Sequence, residues 1–174
     1  MTTDNQQEIF DVVNASDEVI GQATRGEVHR LGLMHRAIHV FVFDSDGRLY
    51  LQKRSQTKDK HPGCLDSSAS GHHNTGEDAD TCAQRELREE LGLEAGAGLT
   101  RLFKIPACAE TGWEHVTFYT LQTDATPQPD PREIESGRFY TLAEILRMVE
   151  ADAAQFAPGF VRILRMFGEQ MGKG

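Results

Sequence analysis

Residues 71–93, GHHNTGEDADTCAQRELREELGL, gather Glu77, Arg85, Glu86, Glu89 and Glu90 at spacings suited to metal chemistry. Residues three and four apart share one face of a helix, so Glu86, Glu89 and Glu90 can converge. Three carboxylates that close repel one another and disfavour a helix unless a cation holds them. On a wheel of about 100° per residue, Ala79, Cys82, Ala83, Leu87 and Leu91 form one apolar stripe centred near Ala83. Glu90 falls roughly 20° and Glu86 roughly 60° from that centre, whereas Gln84, Arg85 and Arg88 point away. A solvated charged face would set the glutamates opposite the stripe. Carboxylates half-buried beside it need a metal or a basic partner.

Other residues could serve a phosphorylated substrate. Lys53, Arg54, Lys58 and Lys60 cluster in QKRSQTKDKH, just ahead of the glutamate run. Arginine forks around phosphate and lysine supplies point charge, so the cluster reads either as a solvated loop or as a diphosphate clamp.

The elements that must position these groups follow from periodicity and turn chemistry. Residues 9–24 read as two short strands around an Asn-Ala-Ser-Asp turn. Thr24 can cap a short helix that Gly32 stops. The β-branched and aromatic run 35–43, the turn 44–47 and the run 48–54 form a hairpin. A polar loop over 55–63 precedes a short strand over 65–69, and then the glutamate-bearing loop and helix. Strands follow over 99–109 and 115–123, separated by the loop ETGWE. A proline-rich loop, a brief extended segment over GRFYTL and two helices, AEILRMVEAD and FVRILRMFGEQ, complete the chain. A single domain is expected over 1–174, with the hairpin at 9–24 and a core of about 35–168. Strands interleaved with helices imply an α/β (α+β) mixed sheet with helices on both faces, an α/β/α sandwich.

Composition narrows the function. Hydrophobic content of 39% and charged content of 26% fit a soluble globular chain. No apolar run reaches the ~18 residues of a membrane span, and the polar, acidic start lacks the pattern of an export signal. A cytoplasmic location and no membrane partner are therefore expected. Three cysteines without zinc spacing read as small buried residues in a reducing compartment. The net charge of −9 disfavours nucleic acid as a partner. It leaves a small-molecule diphosphate open, because a metal and a few local cations can overturn the global sign. A homodimer is compatible with all of this.

The spacing G-x5-E-x7-R-E-L-x-E-E-x-G-L over these residues resembles the Nudix box of the Nudix hydrolase superfamily at every fixed position. The resemblance implies the same sandwich fold and a Mg2+ (or Mn2+) cofactor. Glu86 and Glu90 would be metal ligands, with Glu89 close by and the backbone carbonyl of Ser70 joining them. Arg85 would orient the glutamates and Glu77 would support the loop. The implied reaction is attack of water on a diphosphate phosphorus. Its general base would be a glutamate in the box or outside it, where Glu110, Glu114, Glu133 and Glu135 are candidates.

From HRAIHVFVF into the box, and over most of residues 9–165, the chain resembles the isopentenyl-diphosphate isomerase branch of that superfamily. There, residues matching Arg54 and Lys58 bind the diphosphate. Histidines matching His35 and His72, and His29 after a one-residue shift, bind a metal, with the match to Glu114 both binding it and moving a proton. Two positions depart from the branch. Its catalytic cysteine is Ser70 here, and a hydroxyl is far less acidic than a thiol. Its carbocation-stabilising tryptophan is Gly159 here. The box is also complete where isomerases carry a degenerate one. These departures point to a hydrolase acting on a nucleoside di- or triphosphate or a related nucleoside diphosphate derivative. An isopentenyl-diphosphate isomerase is the alternative, and a non-catalytic nucleotide-binding protein of the same fold is a further one.

Overall fold

Two strands, β1 (Ile9–Val13) and β2 (Val19–Thr24), form the opening hairpin. Asn14 shapes its turn by accepting from the backbone N–H groups of Ser16 and Glu18. Thr24 then caps α1 (Arg25–Leu31) in a reciprocal box with Glu27, and Gly32 at φ 63° ends the helix. An N-cap of this kind stabilises by ~1 kcal/mol, and glycine enters the left-handed region without a Cβ clash. The structure is a computed structural model that describes residue 2 and residues 4–172.

The spine of the molecule is β3 (His35–Phe43), followed by β4 (Leu49–Arg54), β5 (Leu65–Asp66), β6 (Ala69–His72) and α2 (Ala79–Leu91). After β7 (Thr100–Ile105), β8 (Glu114–Gln122) and β9 (Ile134–Tyr140) come α3 (Leu142–Ala151) and α4 (Pro158–Met171). β3 runs parallel to β8 from His35↔Glu114 to Phe43↔Gln122, and β7 lies antiparallel on the far side of β8. On its other edge β3 takes β6 through Ala37↔His72 to Val40↔Ala69.

The expected hairpin of β3 and β4 is present but splayed. Its strands share only the register Phe43↔Leu49 before β4 turns to pair with β5 and β9. Ser68 bridges the opening, accepting from Val42 N–H and donating to the Tyr50 carbonyl. The strand read over 65–69 is likewise two pieces, and β6 runs on into Gly71 and His72, at the head of the expected loop. Those residues carry no β-propensity signal, and pairing to β3 supplies what local sequence does not.

Alternation along β3 divides the core. Ile38, Val40 and Val42 pack against Cys82, Ala83, Leu87 and Leu91 of α2. Ala37 and Phe41 pack against Phe160, Ile163, Leu164 and Phe167 of α4 and Ile145 of α3. Each of the valine, leucine, isoleucine and phenylalanine side chains contributes about 1.5–3 kcal/mol when fully buried. The result is the expected sandwich. A smaller core of Phe10, Val12 and Val28 fastens the opening hairpin and α1 to it. One expectation fails: Cys82 is buried, but Cys64 and Cys108 are only partly covered. Among the described residues no helix is long and apolar enough to cross a membrane.

Candidate active site

Asp78 caps α2 and Gly92 at φ 62° closes it, which fixes the helix against β3 and β6. This placement turns Glu86 and Glu90 inward beneath Gly71. A Cβ on Gly71 would sit 2.1 Å from Glu86 Oε1, so only glycine leaves room for that carboxylate. Glu90 is 6% exposed, and its Oε2 accepts from Ser70 N–H and from Gln52 Nε2, both at 3.1 Å. Glu89, one residue earlier, stands at the surface with its side chain 60% exposed.

Arg85 departs from the wheel expectation. Its Cα lies on the outer side of α2, but the long side chain folds back over the helix start. Nε and Nη2 grip both Glu77 oxygens at 2.9 and 2.8 Å, and Nη1 reaches Glu86 at 2.6 Å and Glu89 at 3.1 Å. Nη2 also donates to the His72 carbonyl at 3.0 Å, tying α2 to β6. Glu77 in turn accepts from Asn74 N–H and shapes the loop. Even so, one guanidinium does not neutralise the pocket. Burial, opposed by Arg85, pushes Glu86 up to about 7, and burial plus the Glu86 charge pushes Glu90 up to about 8. Buried carboxylates so raised are short of positive charge. The donors are carboxylate oxygens grouped on one helix, a set that fits a hard divalent cation.

A second cluster adjoins the first through Gly71–His72. The ligand-capable nitrogens of His29, His35 and His72 lie within 4.8 Å of one another. Phe10 of β1 stacks on the rings of His35 and His72 and shuts one side from water. His35 Nδ1 lies 2.9 Å from the Leu33 carbonyl, so in the neutral ring Nδ1 carries the proton and Nε2 a lone pair. Nε2 of His29 and of His35 is buried with no hydrogen-bond partner among the described residues. Burial lowers His29 to about 4 and His72 to about 3, leaving both rings neutral at pH 7. Burial alone would raise Glu114, but the adjacent His35 and His72 hold it well below the usual carboxylate range. Its Oε1 lies 3.0 Å from His72 Nε2 and 3.6 Å from His35 Nε2. Nδ1 of His72 accepts from Arg25 at 3.2 Å, so its Nε2 carries the proton shared with Glu114. Two imidazoles therefore suit a cation as they stand. The third would have to release a proton and turn from Arg25.

Both clusters open on one cleft of about 1070 Å³. Arg54 and Lys58 line it, each already answered by carboxylates. Arg54 donates to Asp66 at 3.2 Å, and Lys58 binds Asp4 and Glu133. Burial would lower Lys58, but those two carboxylates raise it overall. Lys53 instead pairs with Glu135 at 2.6 Å, away from the cleft lining. Sequence reasoning missed Gln52, Asp66, Arg25 and Asp4, the last two joined at 3.4 Å. Asp4 sits in a polar stretch that carries no pattern, and its partners are distant in sequence.

The candidate bases separate. Glu114 sits in the histidine cluster, Glu133 is bound to Lys58, and Glu110 lies on the rim, 3.8 Å from Arg162. Glu135 is held by Lys53 and Gln56. Ser70 and Gly159 both line the cleft. The loop before β8 ends in Trp113, held at φ 68°. A bulky residue in the left-handed region costs on the order of 1–3 kcal/mol, so the surrounding loop must enforce it.

Comparison with known proteins identifies the family and agrees with the fold. Residues 33–161 match the family model described as NUDIX domain, and the chain belongs to that family. An isopentenyl-diphosphate Delta-isomerase of Nocardia farcinica is 32% identical, over 90% of this chain and 92% of its own. A Nudix hydrolase of Deinococcus radiodurans is 33% identical, over 84% and 86%. A solved structure from Deinococcus radiodurans superposes with a TM-score of 0.76 at 32% identity, covering 83% of this chain and 90% of that one.

Proposed function

We propose that the protein is a divalent-metal-dependent hydrolase that cleaves a diphosphate linkage by attack of water on phosphorus. The substrate class is a nucleoside di- or triphosphate or a nucleoside diphosphate derivative. One observation carries this: Glu90 is buried and Glu86 nearly so beside it, both short of positive charge, on the wall of a large cleft. Glu86, Glu90 and Glu89 would hold the ion, with the Ser70 carbonyl beside them. Magnesium or manganese bound there supplies charge neutralisation on the phosphoryl oxygens and an activated water.

The chain's own residues supply the rest. Arg85 fixes the rotamers of Glu86 and Glu89 through its grip on Glu77. Arg54 and Lys58 bind the diphosphate oxygens by exchanging their present carboxylate partners for phosphate. Glu89 is the exposed glutamate of the box and can take the proton of the attacking water. Glu114 is tied to His72 and serves the imidazole cluster. The test is phosphate release from a panel of nucleotides and nucleotide sugars with magnesium, in wild type, Glu86→Gln and Glu90→Gln. Loss of release in both variants with the fold retained is expected, and normal activity in both rules the assignment out.

An isopentenyl-diphosphate isomerase has one specific observation in its favour: His29, His35, His72 and Glu114 converge in a chain resembling named isomerases along most of its length. Against it stand Ser70 and Gly159, which supply neither a thiol acid nor an aromatic face for a carbocation. Formation of dimethylallyl diphosphate from isopentenyl diphosphate at enzymatic rates would establish the isomerase and displace the hydrolase.

A further inference from the structure

Trp113 is the sole tryptophan of the chain and is 45% exposed. It lines the same cleft as Glu86 and Glu90. Its position is enforced. Trp113 N–H donates to the Cys108 carbonyl at 2.8 Å, and its own carbonyl accepts from His35 N–H at 3.3 Å. Buried Thr111 braces the turn, accepting from Cys108 N–H at 3.0 Å with its hydroxyl 2.9 Å from the Glu114 carbonyl. The pyrrole side of the indole is backed by Gly32, where a Cβ would stand 3.4 Å from Cδ1. A tryptophan serving only as hydrophobic cover would need no left-handed backbone. It would also be buried by what it covers, yet nearly half of its surface is open to solvent.

We propose that Trp113 is a rigid stacking platform for the base of a nucleoside diphosphate substrate, setting specificity at the rim while the diphosphate lies toward Glu86 and Glu90. This rests on the hydrolase reading above. A base needs only one aromatic face to stack, and its polar edges stay in water. An alkenyl chain needs apolar walls on all sides. The cleft offers few beyond Trp113 itself: Leu31, Ala37, Ala109, Ala157 and Pro158 stand among mostly charged and polar side chains. Gly159, whose Cβ would lie 3.8 Å from the Glu110 carbonyl of the same loop, adds no side chain there to enclose such a chain. Loop rigidity means little freedom is lost when the base docks.

A single tryptophan makes the test direct. The full chain is titrated with ADP, inorganic diphosphate and isopentenyl diphosphate, with calcium present, while its fluorescence is followed. ADP is expected to quench the emission saturably, and the other two to leave it nearly unchanged. Affinities of the variants, which lack the fluorophore, are read by isothermal titration calorimetry: Trp113→Leu should weaken ADP by about 5- to 100-fold, the range a stacked base accounts for, and leave inorganic diphosphate binding as in wild type. Trp113→Phe should retain ADP to within a few-fold. ADP that binds without altering the emission, or equally well to Trp113→Leu, overturns the platform and leaves hydrolysis at Glu86 and Glu90 standing. Quenching by isopentenyl diphosphate alone overturns the nucleotide assignment. Hydrolysis that survives Glu90→Gln sinks the parent reading whatever the fluorescence shows.

Discussion

Glu86 and Glu90 on α2, and His29, His35 and His72 beside the opening hairpin, are two buried titratable clusters that meet at Gly71–His72. Burial acts on both, with opposite results. Charged carboxylates are costly when desolvated, so Glu86 and Glu90 are pushed up, and a cation bound between them would supply the positive charge they lack. Imidazoles also shed charge, so His29 and His72 are pushed down, but a neutral imidazole keeps a lone pair, and Nε2 of His29 stands unpartnered as a nitrogen donor. One cluster presents hard oxygen and the other borderline nitrogen. The difference teaches that one physical cause, burial, builds two donor sets of different chemistry within a single cleft.

The largest effect should come from breaking the carboxylate side. Glu90→Gln is expected to lower magnesium-dependent phosphate release by more than about 10²-fold, as measured by initial rates. It should also raise the melting temperature of the metal-free protein at pH 8, because a buried charge has been removed. Arg85→Lys loses the two-pronged hold on Glu77, and a fall of about 10- to 100-fold in the same rates is expected. On the imidazole side, His72→Ala should reduce tightly bound zinc or manganese by one ion per chain in metal analysis. Magnesium-dependent hydrolysis should change by less than about tenfold. An equal collapse of hydrolysis in His72→Ala and Glu90→Gln would merge the two clusters into one site.

The smallest effect is on stability against pH in the metal-free protein. Glu86 and Glu90 have folded values of about 7 and about 8, above the ordinary 4.5, so the folded state holds extra protons between those limits. Their contribution is full below pH 4.5 and is lost as pH rises through 7 to 8. His29 and His72, at about 4 and about 3 against 6.5, act in reverse: their contribution is full above 6.5 and is lost as pH falls through 4 to 3. The melting temperature should therefore be level between about pH 4.5 and 6.5, where the two sets cancel, and fall by a few degrees on either side, and saturating magnesium should flatten the alkaline limb. A flat profile without metal would show that the carboxylates are not strained by burial.

Much of this was legible in the sequence, and the remainder has a common cause. The wheel placed Glu86 and Glu90 near the core because helix period is a local property. β3 was bounded correctly by its β-branched and aromatic run, and Thr24 and Gly32 marked α1 through local cap chemistry. What failed was long-range or conformational. The turn 44–47 predicts a hairpin, but nothing local says that pairing stops at Phe43↔Leu49. Arg85 is on the outer face by Cα position, and only its side-chain length and the loop at Glu77 bring the guanidinium back. Lys58 reads as a clamp, yet its partner Asp4 lies in a stretch without pattern. The meeting of His29, His35 and His72 depends on α1, β3 and β6 being brought together, which family resemblance suggested and periodicity could not.

Chain order also separates Glu114 from both clusters in time. α1, β3, β6 and α2, which carry the three histidines and the two glutamates, all lie before residue 92, whereas Glu114 arrives with β8. Until β8 pairs, the other edge of His35–Phe43 carries unpaired backbone on a strongly β-prone segment. Such an edge invites pairing between chains. Parallel pairing across so long a separation is also slow to form. A chain halted before residue 114 is therefore expected to aggregate, and sedimentation of such a truncated chain against the full one would show it. The strand that seats Glu114 is, during synthesis, the strand that keeps the nascent sheet from finding a partner in another molecule.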